Sequence, residues 1–163
     1  MKSLFILQLV CCVITAMLAL QLAMASLQVR WKVWRYEISR WILVASMLFF
    51  SVHYLLQMIH GLRAQGTDVG AAFNILFYTP VAFAITLSII NIESTGNKVR
   101  RYCLRGMMAY ILIAIVFVIG MFKSQSLHIG NMLYVMLGLF VASMAYFIPV
   151  SYTHLRAHET VLD

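Results

Sequence analysis

Five long apolar runs occupy the chain, and no Lys, Arg, Asp or Glu falls inside any of them: residues 3–29, 41–62, 69–92, 106–122 and 127–150. Every charged residue lies between the runs or at a chain end. Four of the runs match or exceed the roughly 20 residues that cross a hydrocarbon core at about 1.5 Å per residue, and the fourth, 106–122, is shorter but purely apolar. A single span must satisfy its own backbone polar groups, and none of the runs alternates apolar and polar residues as a barrel strand does. The expected class is all-α, a polytopic transmembrane bundle of five spans.

Composition agrees. The 163 residues are 63% hydrophobic and 10% charged, with mean hydropathy +0.91. A soluble domain carries roughly 25% charge. The net charge of +7 would suggest nucleic acid in a soluble protein; here attraction to anionic headgroups and an orientation signal explain it more simply. Cys11 and Cys12 are neighbours inside the first run and Cys103 lies in a basic segment, so no disulfide framework or CxxC site is expected.

The connections set an expected orientation. Arg30, Lys32, Arg35 and Arg40 separate runs one and two; Lys98, Arg100, Arg101 and Arg105 separate runs three and four. The other two connections hold only Arg63 and Lys123. The basic segments belong in the cytoplasm, which puts the N-terminus outside and the end of the fifth run inside. Lys2 and the Ala23-Met24-Ala25 triplet imitate a signal peptide, but the apolar stretch exceeds the usual 7–15 residues. Cleavage would also strand the first basic segment outside. An uncleaved first span is expected.

Trp31, Trp34, Ile38 and Trp41 form one helical stripe in the first basic segment. With Arg30, Arg35 and Arg40 interleaved, they suit an anchor at the headgroup level, where indole rings settle and arginines reach phosphates. In the second basic segment, Ser94, Thr95, Gly96 and Asn97 read as a turn before a helix restarts.

Within the spans, Ser46, His53, Gln57 and His60 share one face of the second helix. His53 is the deepest ionisable group, and such a residue is a candidate functional site by default. His53 and His60 stand two turns apart, about 10 Å along the axis, too far to share one ion. His128 could approach His60, but two ligands make a weak site, so neither metal nor cofactor is expected. Asn74 and Tyr78 lie in the third run beside Thr79 and Pro80, whose missing N–H favours a kink. Asn131 and Tyr134 lie in the fifth. His53, His60, Asn74, Tyr78 and Asn131 would all fall in the outer half, where they could line a pocket for a small apolar or amphipathic ligand. Ala19, Ala23, Gly138 and Ala142 have the small-xxx-small spacing of helix contacts. The spans hold no carboxylate for ion coupling and no catalytic pair, so catalysis by this segment is not expected.

The stretch Ser151-Tyr-Thr-His-Leu-Arg-Ala-His-Glu-Thr-Val-Leu-Asp163 closely resembles a translated sequencing adapter. It is read as a non-native tail, with the native chain expected to continue beyond about residue 150, and the HxxxH of His154 and His158 as a false metal motif. Residues 1–150 resemble the N-terminal membrane region of bacterial signalling proteins, in which helices with an outside N-terminus precede a cytoplasmic AraC-type helix-turn-helix or histidine kinase domain. The resemblance rests on the basic segments Arg30–Arg40 and Lys98–Arg105 and on the style of the spans. It implies a sensor or anchor in a bacterial inner membrane that couples a ligand or the bilayer state to an output domain. Its partners would be the bilayer, anionic headgroups and, as one permitted assembly, a second copy; the segment itself offers no contact to nucleic acid. A fragment of a transporter or permease is the alternative, and a scaffold subunit without ligand a third.

Overall fold

In a computed structural model of the chain, the backbone is described for residues 2–25, 33–93 and 96–159, and the side chains of residues 2, 33, 63, 64, 93, 96 and 148–159 fall outside the description. Arg30, Trp31, Lys32, Ser94 and Thr95 lie outside the described residues. The fold is all-α: α1 (Lys2–Met24), α2 (Val33–His60), a single turn α3 (Leu62–Gln65), α4 (Thr67–Glu93), α5 (Gly96–Ser124) and α6 (Met132–Glu159).

Four of these, α1, α2, α4 and α5, are long and apolar enough to cross a membrane, and Met132–Phe147 of α6 is a shorter apolar stretch. The chain is therefore an integral membrane protein by its helices. Two expected boundaries differ. The fifth apolar run starts its helix at Met132, because Leu127–Asn131 form a turn in which Gly130 takes a left-handed φ of 53°. The basic segments are helical to a large extent: Arg35 and Arg40 ride on the first turns of α2, and Gly96 and Asn97 already belong to α5 together with Lys98–Arg105. Lys and Arg are good helix formers, and no proline or glycine interrupts residues 97–105, so the helix does not stop at the membrane boundary. Gly61, at φ 57°, breaks α2 from α3.

Among the described residues α1 packs on α2 alone, α2 packs on α4, and α4, α5 and α6 pack mutually. The molecule is thus a helical hairpin leaning through α2 against a three-helix unit. The core of that unit is apolar: Ala72, Ile75, Ile113, Phe117, Ile129 and Met136, with Phe73, Leu76 and Val116 packed around it. Two glycines let its backbones approach closely. A Cβ on Gly106 would lie 2.0 Å from the Phe83 ring, and one on Gly120 would lie 2.9 Å from the Ile129 side chain.

Ala19 is buried at 2%, as its spacing suggested. Gly138 and Ala142 instead face outward, and nothing lies within 4 Å of the Cβ position at Gly138. The contact face of α6 is the one carrying Met136 and Ser143.

Candidate functional site

The α2–α4 interface follows a seven-residue repeat, the period at which two helices keep one seam together. From α2 come Ser39, Ser46 and His53; from α4 come Asn74, Val81 and Ser88, all buried except the partly buried Asn74. The helices run antiparallel, so Ser39 meets Ser88 at one end and His53 meets Asn74 at the other. The same register sets Ser46 level with Val81. Five of these six positions carry a hydroxyl, amide or imidazole, which is unusual for a contact surrounded by apolar residues.

At the basic end, the Ser39 hydroxyl donates to the Ser88 carbonyl at 2.9 Å. Asn91 Nδ2 donates to Ser39 Oγ at 3.0 Å and to the Arg35 carbonyl at 3.1 Å. The last contact brings the end of α4 beside the start of α2. Opposite Val81, the Ser46 hydroxyl turns back on its own helix, donating to the Ile42 carbonyl at 2.7 Å. An aromatic layer follows: Phe49 stacks on Phe77 with centroids 4.9 Å apart, and Phe50 meets Tyr78 edge-on at 5.2 Å.

Beyond it lies the largest polar cluster. Gln8 Nε2 of α1 donates to Gln57 Oε1 of α2 at 3.3 Å. Gln57 Nε2 donates in turn to Asn74 Oδ1 of α4 at 2.8 Å. His53 Nε2 stands 3.2 Å from the same oxygen. An amide oxygen only accepts, so in this arrangement the His53 proton is on Nε2. His53 and Gln57 are each 1% exposed and Gln8 is 6% exposed. The His53 ring also packs 4.5 Å from Phe77 and 5.6 Å from Tyr78. One acceptor on α4 therefore gathers donors from α2, and α1 is joined through Gln57. The α1–α2 contact is polar as well: Cys12 Sγ lies 3.3 Å from Ser51 Oγ, and Ser51 Oγ donates to the Cys12 carbonyl at 3.2 Å.

Of the expected pocket residues, His53, Asn74 and Tyr78 come together. His60 and Asn131 do not join them. His60 is exposed at the end of α2, where its carbonyl accepts from Gln65. Asn131 sits exposed in the α5–α6 turn, beside Lys123, Ser124 and His128 around a separate hollow of about 250 Å³. His128 Nδ1 lies 2.8 Å from Asp68 Oδ2 and ties that turn to the start of α4. Among the described residues no three His, Cys, Asp or Glu side chains gather as a metal site would require.

Trp34 and Trp41 are exposed on α2 at 76% and 54%. The Arg40 guanidinium lies 5.5 Å from the Trp41 ring centroid, pairs with Glu37 and donates to the Ala25 carbonyl at the end of α1.

Gln8, Ser39 and Asn91 were missed by sequence reasoning. Gln8 is one of three glutamines in its apolar run, with no periodicity to flag it. Ser39 lay in the basic segment outside the apolar runs, where only the Trp31, Trp34, Ile38 and Trp41 stripe was singled out. The sevenfold spacing of Ser39, Ser46 and His53 was the available signal. Compared with known proteins, the chain matches no family model, no curated protein and no solved structure.

Proposed function

We propose that this bundle is the membrane sensor or anchor portion of a signal-transduction protein, with its N-terminus outside and its basic end in the cytoplasm. In this scheme it lies in a bacterial inner membrane and passes a ligand or bilayer signal to a cytoplasmic output domain. The observation that supports it is the split construction of the bundle. A hairpin, α1–α2, is attached to an apolar three-helix unit through a seam of exchangeable hydrogen bonds. Hydrogen bonds between membrane helices contribute only about 0.6 kcal/mol on average, up to about 1.7. A small amphipathic molecule that supplied its own donor or acceptor near Asn74 could compensate one or two of them. A ligand shifts an equilibrium only by its differential affinity for the two packings.

The basic end suits an output device. Arg35 and Arg40 on α2 and Lys98–Arg105 on α5 lie at the same end of the bundle, since Asn91 joins the α4 terminus to α2 and Arg105 meets the far half of α6. A sliding α2 would shift Trp34 and Trp41 against the headgroups.

Intrinsic fluorescence tests this directly, because all three tryptophans lie within residues 31–41. The protein in vesicles is titrated with a fatty acid, a hydrophobic amine and a quinone, and separately placed in bilayers of two thicknesses. The expected result is a saturable emission shift with at least one stimulus, abolished by Asn74→Leu. No shift with any stimulus contradicts the proposal. Uptake of a solute that Asn74→Leu abolishes would instead favour a transporter.

A further inference from the structure

The outward face of α5 changes chemistry along its length. Lys98, Arg101 and Arg105 stand at i, i+3 and i+7 and are all exposed, so they form one stripe. The stripe continues as Met108, Leu112, Ile115 and Ile119, exposed at 64%, 51%, 48% and 50%. Among the described residues no carboxylate pairs with the three cations. Arg105 is held in place from the neighbouring helix: it donates to the Tyr146 hydroxyl of α6, and its guanidinium carbon lies 5.7 Å from the centre of the Tyr146 ring. Tyr146 is itself 40% exposed.

We propose that this face of α5, with Tyr146 of α6, is a binding site for an anionic glycerophospholipid of the leaflet at the basic end. The phosphate sits among Lys98, Arg101 and Arg105, and an acyl chain lies along Met108, Leu112 and Ile115. Charge complementarity sets the headgroup. Three cations with no counter-carboxylate among the described residues favour a lipid of net negative charge over a zwitterionic one, whose own ammonium repels them. The apolar track sets the rest of the ligand. From Arg105 to Ile115 the helix rises about 15 Å, half the thickness of the hydrocarbon core and so the depth of one leaflet. A soluble phosphate would make no use of that track. Tyr146 orients the guanidinium in advance, so less side-chain freedom is lost on binding. The site needs only that the chain stand in a bilayer, and it holds whether or not the bundle is a sensor.

The test is native mass spectrometry of the whole chain released from detergent containing phosphatidylglycerol or phosphatidylcholine of identical acyl chains, with glycerol phosphate as the soluble arm. A surface cation contributes about 1 kcal/mol of attraction to anionic lipid, about fivefold in affinity. Arg105→Gln should therefore weaken phosphatidylglycerol retention about fivefold, and Lys98→Gln with Arg101→Gln and Arg105→Gln about a hundredfold, down to the phosphatidylcholine level. Lys123→Gln, which removes one charge at the opposite end, should change nothing. Tyr146→Phe should fall between wild type and Arg105→Gln. Should Arg105→Gln lose its helical circular dichroism, Arg101→Gln carries the comparison. The proposal is overturned if Lys123→Gln acts as strongly as Arg105→Gln, if phosphatidylcholine binds as well as phosphatidylglycerol, or if glycerol phosphate binds as tightly as the lipid.

Discussion

The two faces of α4 hold their neighbours by different means. Toward α5 and α6 it offers Ala72 and Ile75 to a core with Ile113, Phe117 and Met136. Toward α2 it offers Asn74, Ser88 and Asn91, each engaged in a hydrogen bond. Lipid tails are as apolar as leucine, so neither face gains from expelling water. The first gains from close packing, where many dispersion contacts depend on shape. The second combines directed bonds, individually weak, with the Phe49–Phe77 and Phe50–Tyr78 ring contacts. A shape-fitted contact resists sliding; a seam of hydrogen bonds can trade partners. The proposed sensor role requires the α4–α5–α6 unit to act as the rigid part and the α1–α2 hairpin as the part that moves.

The largest expected effect attacks the rigid side. Gly106→Val would drive a side chain into the Phe83 ring, with even the first added carbon only 2.0 Å from it. Overpacking of this kind costs about 1–3 kcal/mol, and thermal unfolding in detergent should show it across the whole protein. Adding Phe83→Ala should recover part of the loss, a coupling that a double-mutant cycle reads.

Next comes Asn74→Leu, which takes one acceptor from both Gln57 and His53. Stranding buried donors costs about 1–3 kcal/mol. The loss should be local, with amide exchange rising in α1 and α2 while residues 113–121 of α5 keep their protection. Equal loss of protection in both regions would break the division between seam and core.

Gln8→Leu removes the hydrogen bond from α1 to Gln57. About 0.6 kcal/mol is expected, visible as faster exchange confined to α1. The smallest effect belongs to His128→Ala. The pair it breaks with Asp68 is partly exposed, and such pairs contribute little. The unfolding midpoint should not move, while exchange in the 125–131 turn should quicken.

The helices were legible in the sequence because a membrane span has few alternatives: backbone groups in hydrocarbon must bond within the helix. The association of His53, Asn74 and Tyr78 was legible in part, since each is a polar or aromatic residue in the half of its run expected to lie outside. The register was not. Ser39 opposite Ser88 and His53 opposite Asn74 require knowing that α2 and α4 are antiparallel neighbours at a particular offset, and a repeat on one helix does not fix its partner. Asn131 was grouped with the others by depth alone, and depth does not say which way a residue faces; His60 shares the helical face of His53 and Gln57 but lies at the exposed end of α2. Arg105 and Tyr146, 41 residues apart, gave no sequence signal; their meeting depends on α6 returning beside α5.

The central claim is that the hairpin moves against a rigid three-helix unit. Pulsed electron paramagnetic resonance on the protein in nanodiscs, with spin labels in a cysteine-free background, measures it. One label pair, at Leu48 of α2 and Leu112 of α5, crosses the seam; a second, at Leu112 and Val141 of α6, stays within the unit. All three positions are exposed, at 49%, 51% and 56%. The expected result is a distance distribution across the seam that has two components, or shifts between thin and thick bilayers, and is biased by Asn74→Leu, beside a single unchanged distance within the unit. A single unchanged distance for both pairs, with and without Asn74→Leu, would contradict it.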